Sequence, residues 1–204
     1  MFIGKKPTDA PLTSSDVADG IITSAKIADG TIVNADVNAS AAIAGSKLSG
    51  AGISVADQWR LTTTITSTNA TISSNLERVD TGGQGTIGSA MSESSGIFTF
   101  PSTGIWLVIF SASIGLVPTD NGGITMEVTT NNSSYTSVGI AYNSNKGSAN
   151  TASSRSTNMS TVDVTDTANV KVRFLTASLA TDSNVVGDTD RNSTNFTFIR
   201  LGVT

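Results

Sequence analysis

The first fifty residues repeat with a period of ten, and that period limits what the chain can fold into. Asp16-Val17-Ala18-Asp19-Gly20-Ile21-Ile22-Thr23-Ser24-Ala25 is followed by Lys26-Ile27-Ala28-Asp29-Gly30-Thr31-Ile32-Val33-Asn34-Ala35. A weaker copy runs from Asp36-Val37-Asn38 to Gly45, and Ser46-Lys47-Leu48 begins a fourth. Val17, Ile27 and Val37, with Leu48 as a fourth member, mark one apolar position, and Ile22, Ile32 and Ala42 mark another five residues on. Self-similarity at a fixed period signals a unit that cannot bury its own apolar side and has to stack or pair.

The spacing also discriminates between geometries. A step of five puts the two apolar sets on opposite faces of a straight strand and about 140° apart on a helix. Asp19-Gly20 and Asp29-Gly30 are turn signals, and glycine every ten residues opposes a continuous helix. The segment therefore reads as short extended pieces punctuated by turns, wound with identical segments of neighbouring chains. A disordered linker with accidental similarity is the alternative reading.

Residues 1–15, polar and carrying Pro7 and Pro11, read as an extended attachment arm. Residues 16–50 then form the repeat shaft and a neck, whose small, Gly-rich character continues from Ala41 to Val55, and residues 51–204 a head domain. In the head the pattern changes to strands. Trp59, Leu61 and Thr63 alternate; Ile97 to Phe100 ends at the turn cluster Pro101-Ser102-Thr103-Gly104, and Ile105 to Ile114 resumes. Ile124, Met126 and Val128 alternate with Thr125, Glu127 and Thr129, as do Val170, Val172 and Phe174 with Lys171 and Arg173. Many short strands without a helical stretch indicate an all-β antiparallel sandwich of the jelly-roll kind.

In Ile105-Trp106-Leu107-Val108-Ile109-Phe110 both faces of the strand are apolar, and the same holds from Phe196 to Leu201. A sandwich strand ordinarily shows one face to the core and the other to water. Two dry faces suggest a core on one side and a neighbouring subunit on the other; a central strand covered by a loop is the alternative. The candidate anchors of a homotrimer are Val17, Ile22, Ile27, Ile32 and Val37 in the shaft, with Trp106 and Phe198 in the head.

Composition narrows the chemistry. The chain has neither cysteine nor histidine, so disulfides, thiolate nucleophiles and Ser-His-Asp arrangements are out of reach. Carboxylate pairs for glycoside hydrolysis would have to come from Glu77, Asp80, Glu93, Glu127 and Asp163, and no enzymatic activity is expected. Asp188-Thr189-Asp190-Arg191-Asn192 begins like a calcium loop but has Ser193 at the sixth position and Ile199 at the twelfth, so it reads as an Asp/Asn-rich hairpin loop. Gly82-Gly83-Gln84-Gly85 lacks a following helix to cradle phosphate and reads as a turn. No cofactor or metal is expected.

Twelve basic residues in a chain of net charge −4 supply no nucleic-acid footprint. The longest apolar run, Ile105 to Phe110, is too short to span a bilayer. Met1-Phe2-Ile3-Gly4-Lys5-Lys6 has no signal-peptide pattern, so synthesis in a cytoplasm is expected, with release by lysis. Asn69, Asn132, Asn158, Asn192 and Asn195 lie in glycosylation sequons that reflect composition in such a setting. Tyr135 and Tyr142, in a Ser/Asn-rich stretch, are candidate aromatics of a glycan- or protein-binding loop, with half-buried strand tyrosines as the alternative.

Gly96-Ile97-Phe98-Thr99-Phe100-Pro101-Ser102-Thr103-Gly104-Ile105-Trp106-Leu107-Val108 resembles the signature of the complement-type globular head, with Trp106 where tyrosine is usual. Asn195-Phe196-Thr197-Phe198-Ile199-Arg200-Leu201 resembles that family's last strand, and Ala56-Asp57-Gln58-Trp59-Arg60-Leu61 its first. The resemblance implies a ten-stranded jelly roll like tumour necrosis factor, assembled as a trimer. Ser24 to Asp36 looks like shaft segments of tail fibres and other structural proteins of marine and cyanobacterial bacteriophages. That second resemblance implies a homotrimeric virion protein. Its arm would bind other virion proteins, and its head would contact a host surface glycan or protein. A capsid decoration or head-fibre protein without a receptor role and a secreted carbohydrate-binding module are the alternatives.

Overall fold

A computed structural model of the chain describes residues 17–38, 40–43, 52–147 and 151–204. The arm expected at 1–15, Asp16 and the fourth repeat at Ser46-Lys47-Leu48 lie outside the described residues. The chain divides into two units, Met1–Leu48 and Ser49–Thr204.

In the first unit the sequence period is also a conformational period. Gly20 and Gly30 adopt left-handed φ values of 75° and 76°, a region open to glycine at no steric cost. Ile21, Thr31 and Ala41, ten residues apart, each donate a backbone N–H to the carbonyl three residues back. Short 3-10 turns at Ser24–Lys26 and Asn34–Asp36 fall between them. There Lys26 N–H donates to Thr23 and Asp36 N–H to Val33. The Asp36 carboxylate accepts the Val33 N–H at 2.9 Å, which closes the second of these turns. The described bonds of this segment are all local, so each turn is held by itself.

The second unit contains twelve strands among its described residues. They are β1 (Ala56–Leu61), β2 (Ile65–Thr66), β3 (Leu76–Arg78), β4 (Ser92–Ser94), β5 (Ile97–Thr99) and β6 (Gly104–Leu116), then β7 (Asn121–Thr129), β8 (Thr136–Ser144), β9 (Ala152–Val164), β10 (Lys171–Ala177), β11 (Asn184–Val185) and β12 (Thr194–Gly202). One sheet has the order β2-β11-β6-β12-β1-β3, with β9 paired along the other edge of β6; the other sheet runs β4-β5-β10-β7-β8. All pairings are antiparallel, from Ala56↔Ile199 in β1–β12 to Phe174↔Met126 in β10–β7. The count exceeds the expected ten by the two-residue pieces β2 and β11, which pair with each other.

Alternation decides which side chains fill the space between the sheets. β6 sends Trp106, Val108, Phe110, Ala112 and Ile114 inward, all fully buried, and β12 contributes Phe196 and Phe198. Phe98 of β5 reaches across from the opposite sheet. Its ring centroid lies 5.5 Å from Trp59, 5.0 Å from Phe198 and 5.8 Å from Phe174. Phe174 in turn stacks on Phe196 at 4.2 Å. Edge and offset contacts of this kind add to area burial.

The stretch from Ser133 to Ser160, which resembles nothing in the complement-type pattern, forms β8 and most of β9. These two strands border the gap between the sheets and are joined there by side chains. Asn158 Nδ2 donates to the Ile140 carbonyl at 3.1 Å and Ser160 Oγ to the Val138 carbonyl at 3.0 Å. Gly139 permits the approach, since a Cβ there would meet Asn158 Oδ1 at 2.7 Å.

Because Phe98 touches aromatic rings of both sheets, Trp59, Phe196 and Phe198 on one and Phe174 on the other, Phe98→Ala is expected to destabilise the head by about 3–5 kcal/mol. Chemical denaturation of the full chain, followed by tryptophan fluorescence, measures this; a loss below about 1 kcal/mol would contradict the central role given to that ring.

Candidate functional site

The five shaft candidates are all on the surface of the described chain. Val17, Ile22, Ile27, Ile32 and Val37 are each more than a third exposed, with Ile22 at 57% and Ile32 at 58%. Ile21, Val33 and Ile43 are exposed as well. This is an unusual density of uncovered branched apolar side chains for a short segment.

The head candidates need correction. Trp106 and Phe198, expected at a subunit interface, are wholly inside the sandwich of one chain, where Trp106 packs on Phe100 at 5.1 Å between centroids. The outward row of the same strand is Ile105, Leu107 and Ile109, each half-buried. Register places Leu107 directly beside Ile199 on β12 and Ile109 directly beside Met159 on β9. Exposed Leu201 and Met159 flank this row, so the outer face of the sheet carries a continuous apolar strip. The two dry faces were legible in the sequence. Which parity faced inward was not, and the larger side chains went to the core because only the inter-sheet space accommodates them.

The acidic residues proposed as carboxylate pairs are dispersed and mostly engaged. Glu77 and Asp80 share the guanidinium of Arg60, which is 1% exposed. Arg60 Nε donates to Glu77 at 3.1 Å, and Nη2 to Glu77, to Asp80 at 2.9 Å and to Thr81 Oγ1 at 3.0 Å. Burial disfavours the charge on Arg60, but hydrogen bonding and attraction to Glu77, with Asp80 behind it, outweigh that and raise its pKa. Glu93 accepts the Gly96 N–H at 2.6 Å, Glu127 pairs with Arg173, and Asp163 is exposed on β9. Sequence reasoning passed over Asp57, whose buried carboxylate accepts from Trp59 Nε1, Met91 N and Arg78 Nε at 2.9–3.2 Å. A charged residue at an inward position of an apolar strand was the available signal.

Asp188 spends its carboxylate on its own loop: Oδ1 accepts the N–H groups of Asp190 at 2.8 Å and Arg191 at 2.9 Å. The Asp190 N–H bond lowers the Asp188 pKa; burial opposes it, and the Arg191 N–H and the charges of Arg191 and Arg60 add to the lowering. Among the described residues no group of three His, Cys, Asp or Glu side chains is placed to hold a metal ion. None of the described helices is long and apolar enough to cross a membrane. Gly82 and Gly83 take left-handed φ values in a turn. Of the sequon asparagines, Asn69 bridges to Leu179, Asn158 to Ile140 and Asn195 to Asn192.

The two tyrosines differ. Tyr135 lies under Arg173, whose guanidinium carbon is 3.9 Å from the ring centroid while its Nε donates to Glu127 at 2.7 Å. Burial pushes the Tyr135 pKa up, with Arg173 opposing and Glu127 adding to the rise. Tyr142 on β8 is 45% exposed.

No family model matches this chain and no curated protein matches it. Solved structures do. Eiger TNF from S. frugiperda is similar at 9% identity with a TM-score of 0.54, covering 75% of this chain and 96% of its own. Murine APRIL at pH 8.5 is similar at 10% identity and 0.53, covering 72% and 98%. The globular domain of zebrafish complement 1qA protein is similar at 12% identity and 0.50, covering 74% and 99%. The likeness is one of fold: the head is a two-sheet antiparallel jelly roll of the kind shared by complement globular domains and tumour necrosis factors.

The Arg60 cluster yields an ordering of variants. Glu77→Ala leaves a buried guanidinium with the exposed Asp80 as its remaining ion-pair partner, beside the neutral Thr81 hydroxyl, and should cost about 3 kcal/mol or more, whereas Arg60→Met keeps the packing, frees both carboxylates to water and should cost clearly less. Thermal unfolding of the two proteins decides; equal or reversed losses would show that the pairing does not govern this corner.

Proposed function

We propose that this chain is a homotrimeric virion structural protein, a fibre or tail appendage that anchors through its N-terminal arm and uses its jelly-roll head for attachment to a host or partner. The observation that carries this is the repeat segment, where apolar side chains recur every five residues and stay exposed in one chain. Among the described residues its turns are held by local hydrogen bonds, and those side chains are not gathered into a core within one chain. Burying one valine or isoleucine is worth roughly 1.5–3 kcal/mol, and five positions per chain offer a substantial reason to associate around a shared axis. The strip of Ile105, Leu107, Ile109, Ile199 and Met159 on the head supplies a second surface for copies of the same chain. Attachment through presented surfaces needs no catalytic group, in keeping with carboxylates committed to ion pairs and turns.

Sedimentation equilibrium of the full chain should give three times the 20.8 kDa chain mass. Ile27→Asp combined with Ile32→Asp should weaken or abolish the trimer, because three carboxylates would meet at each buried level. A monomeric wild type removes the proposal. Antibody labelling of purified particles tests the virion role; tail labelling fits an appendage, capsid labelling shifts the role to decoration, and unlabelled particles refute both.

A further inference from the structure

A hollow of about 410 Å³ lies at the end of the β7–β8 ladder, two residues along β8 from Tyr142, and is lined by Thr119, Asp120, Asn121, Ser144, Asn145 and Lys146. Its volume falls within the range of small-molecule pockets. Tyr142 and Ser144 lie two residues apart on the same face of β8, and Ser144 pairs with Asn121 across the ladder to β7. The next pair on the same face is Gly123 with Tyr142, and the Tyr142 ring occupies the space that a side chain at Gly123 would fill. The ring edge at Cδ1 therefore lies over Gly123 while the residue stays 45% exposed.

The walls are built. Asp120 is fixed by Ser183 Oγ, by the Ala180 N–H at 3.2 Å and by the Asn121 N–H at 2.8 Å. Asn145 Nδ2 donates to the Leu116 carbonyl at 2.9 Å, and its Oδ1 accepts the Gly147 N–H at 3.0 Å. Against this frame the side-chain amide of Asn121, the Ser144 hydroxyl and the Lys146 ammonium are not engaged by any described residue.

We propose that Tyr142 and this hollow form a carbohydrate-binding site whose ligand is a pyranose carrying an acidic group. It rests on the reading of the head as an attachment module and gives that module a ligand class. An exposed aromatic ring seated over a glycine of the neighbouring strand offers an apolar platform to the C–H face of a sugar ring. An amide and a hydroxyl offer both donors and acceptors to its hydroxyls, and an ammonium favours a carboxylate substituent. The apolar row runs on from Tyr142 to Ile140 and Val138, but the polar hollow adjoins only the Tyr142 end. That asymmetry distinguishes a mixed polar–aromatic site from a uniformly apolar contact.

The test uses the full chain on an array of neutral and carboxylated oligosaccharides, followed by titration with methyl glucuronide and methyl glucoside. Wild type should bind carboxylated glycans in preference to neutral ones. Tyr142→Ala should lower affinity for both by about tenfold or more, Tyr142→Phe should retain it, and Lys146→Gln should lower affinity for the acidic sugar alone. Sedimentation of each variant should match wild type. Absence of glycan binding by wild type, or binding indifferent to Tyr142→Ala, overturns the site, and a fall in oligomer mass in Tyr142→Ala assigns the ring to a second copy instead. Trimer mass without glycan binding defeats this site alone, whereas a monomer that still binds sugar defeats the trimer and leaves the site standing.

Discussion

The head depends on the strict alternation of one strand, Gly104–Leu116. It is the longest in its sheet together with β9, and it carries β9 along one edge and β12 followed by β11 along the other. Its inward side chains meet the aromatic cluster anchored by Phe98 and Phe174 of the opposite sheet. A slip of one residue would exchange Trp106, Val108 and Phe110 for Ile105, Leu107 and Ile109, which are also apolar. Hydropathy alone therefore does not fix the register of this strand. Volume does, because the inter-sheet space accepts an indole and a phenyl ring and the aliphatic row matches the open face.

The same two-sidedness is what the repeat segment shows at its smaller scale. There the turn at each Asp-Gly and the 3-10 turn five residues later reset the chain direction before any strand can form. The apolar residues between them are presented and not folded away. Both units thus carry more apolar surface than one chain conceals, the head as an ordered strip and the repeat as a periodic series.

Much of the sandwich was legible as strands because alternation of Val172 and Phe174 with Lys171 and Arg173, or of Val162 and Val164 around Asp163, reports one buried and one wet face. β8 and the first half of β9 were not legible, since Ser156, Asn158 and Ser160 face inward and are as polar as their exposed neighbours. Their role is to hydrogen-bond backbone across the gap between sheets, and no hydropathy pattern encodes that. Trp106 and Phe198 were misplaced at an interface because side-chain size reports demand for burial without saying by whom. Arg60 and Asp57 escaped notice because their partners, Glu77 and Arg78, come from a strand of only three residues. Tyr142 stood out as an aromatic in a polar stretch, but the hollow beside it depends on Asn121 and Asp120, more than twenty residues away in sequence, and becomes visible only through the β7–β8 register.

The way β8 and β9 meet also constrains how copies can associate. An open strand edge invites another strand to add by backbone pairing, and proteins that avoid this blunt the edge. Here the Val138 and Ile140 carbonyls of β8 already accept from Ser160 and Asn158, so part of its outer hydrogen-bonding capacity is occupied from within the chain. Association by strand addition at this edge would have to displace those side chains and cost half-buried Asn158 its hydrogen bond beside Gly139. Packing through the apolar outer face of β6 and β12 breaks no hydrogen bond at all. Any contact between copies of the head would therefore cost less through side-chain surfaces, where size and shape limit the number of partners, than through open-ended sheet extension at β8.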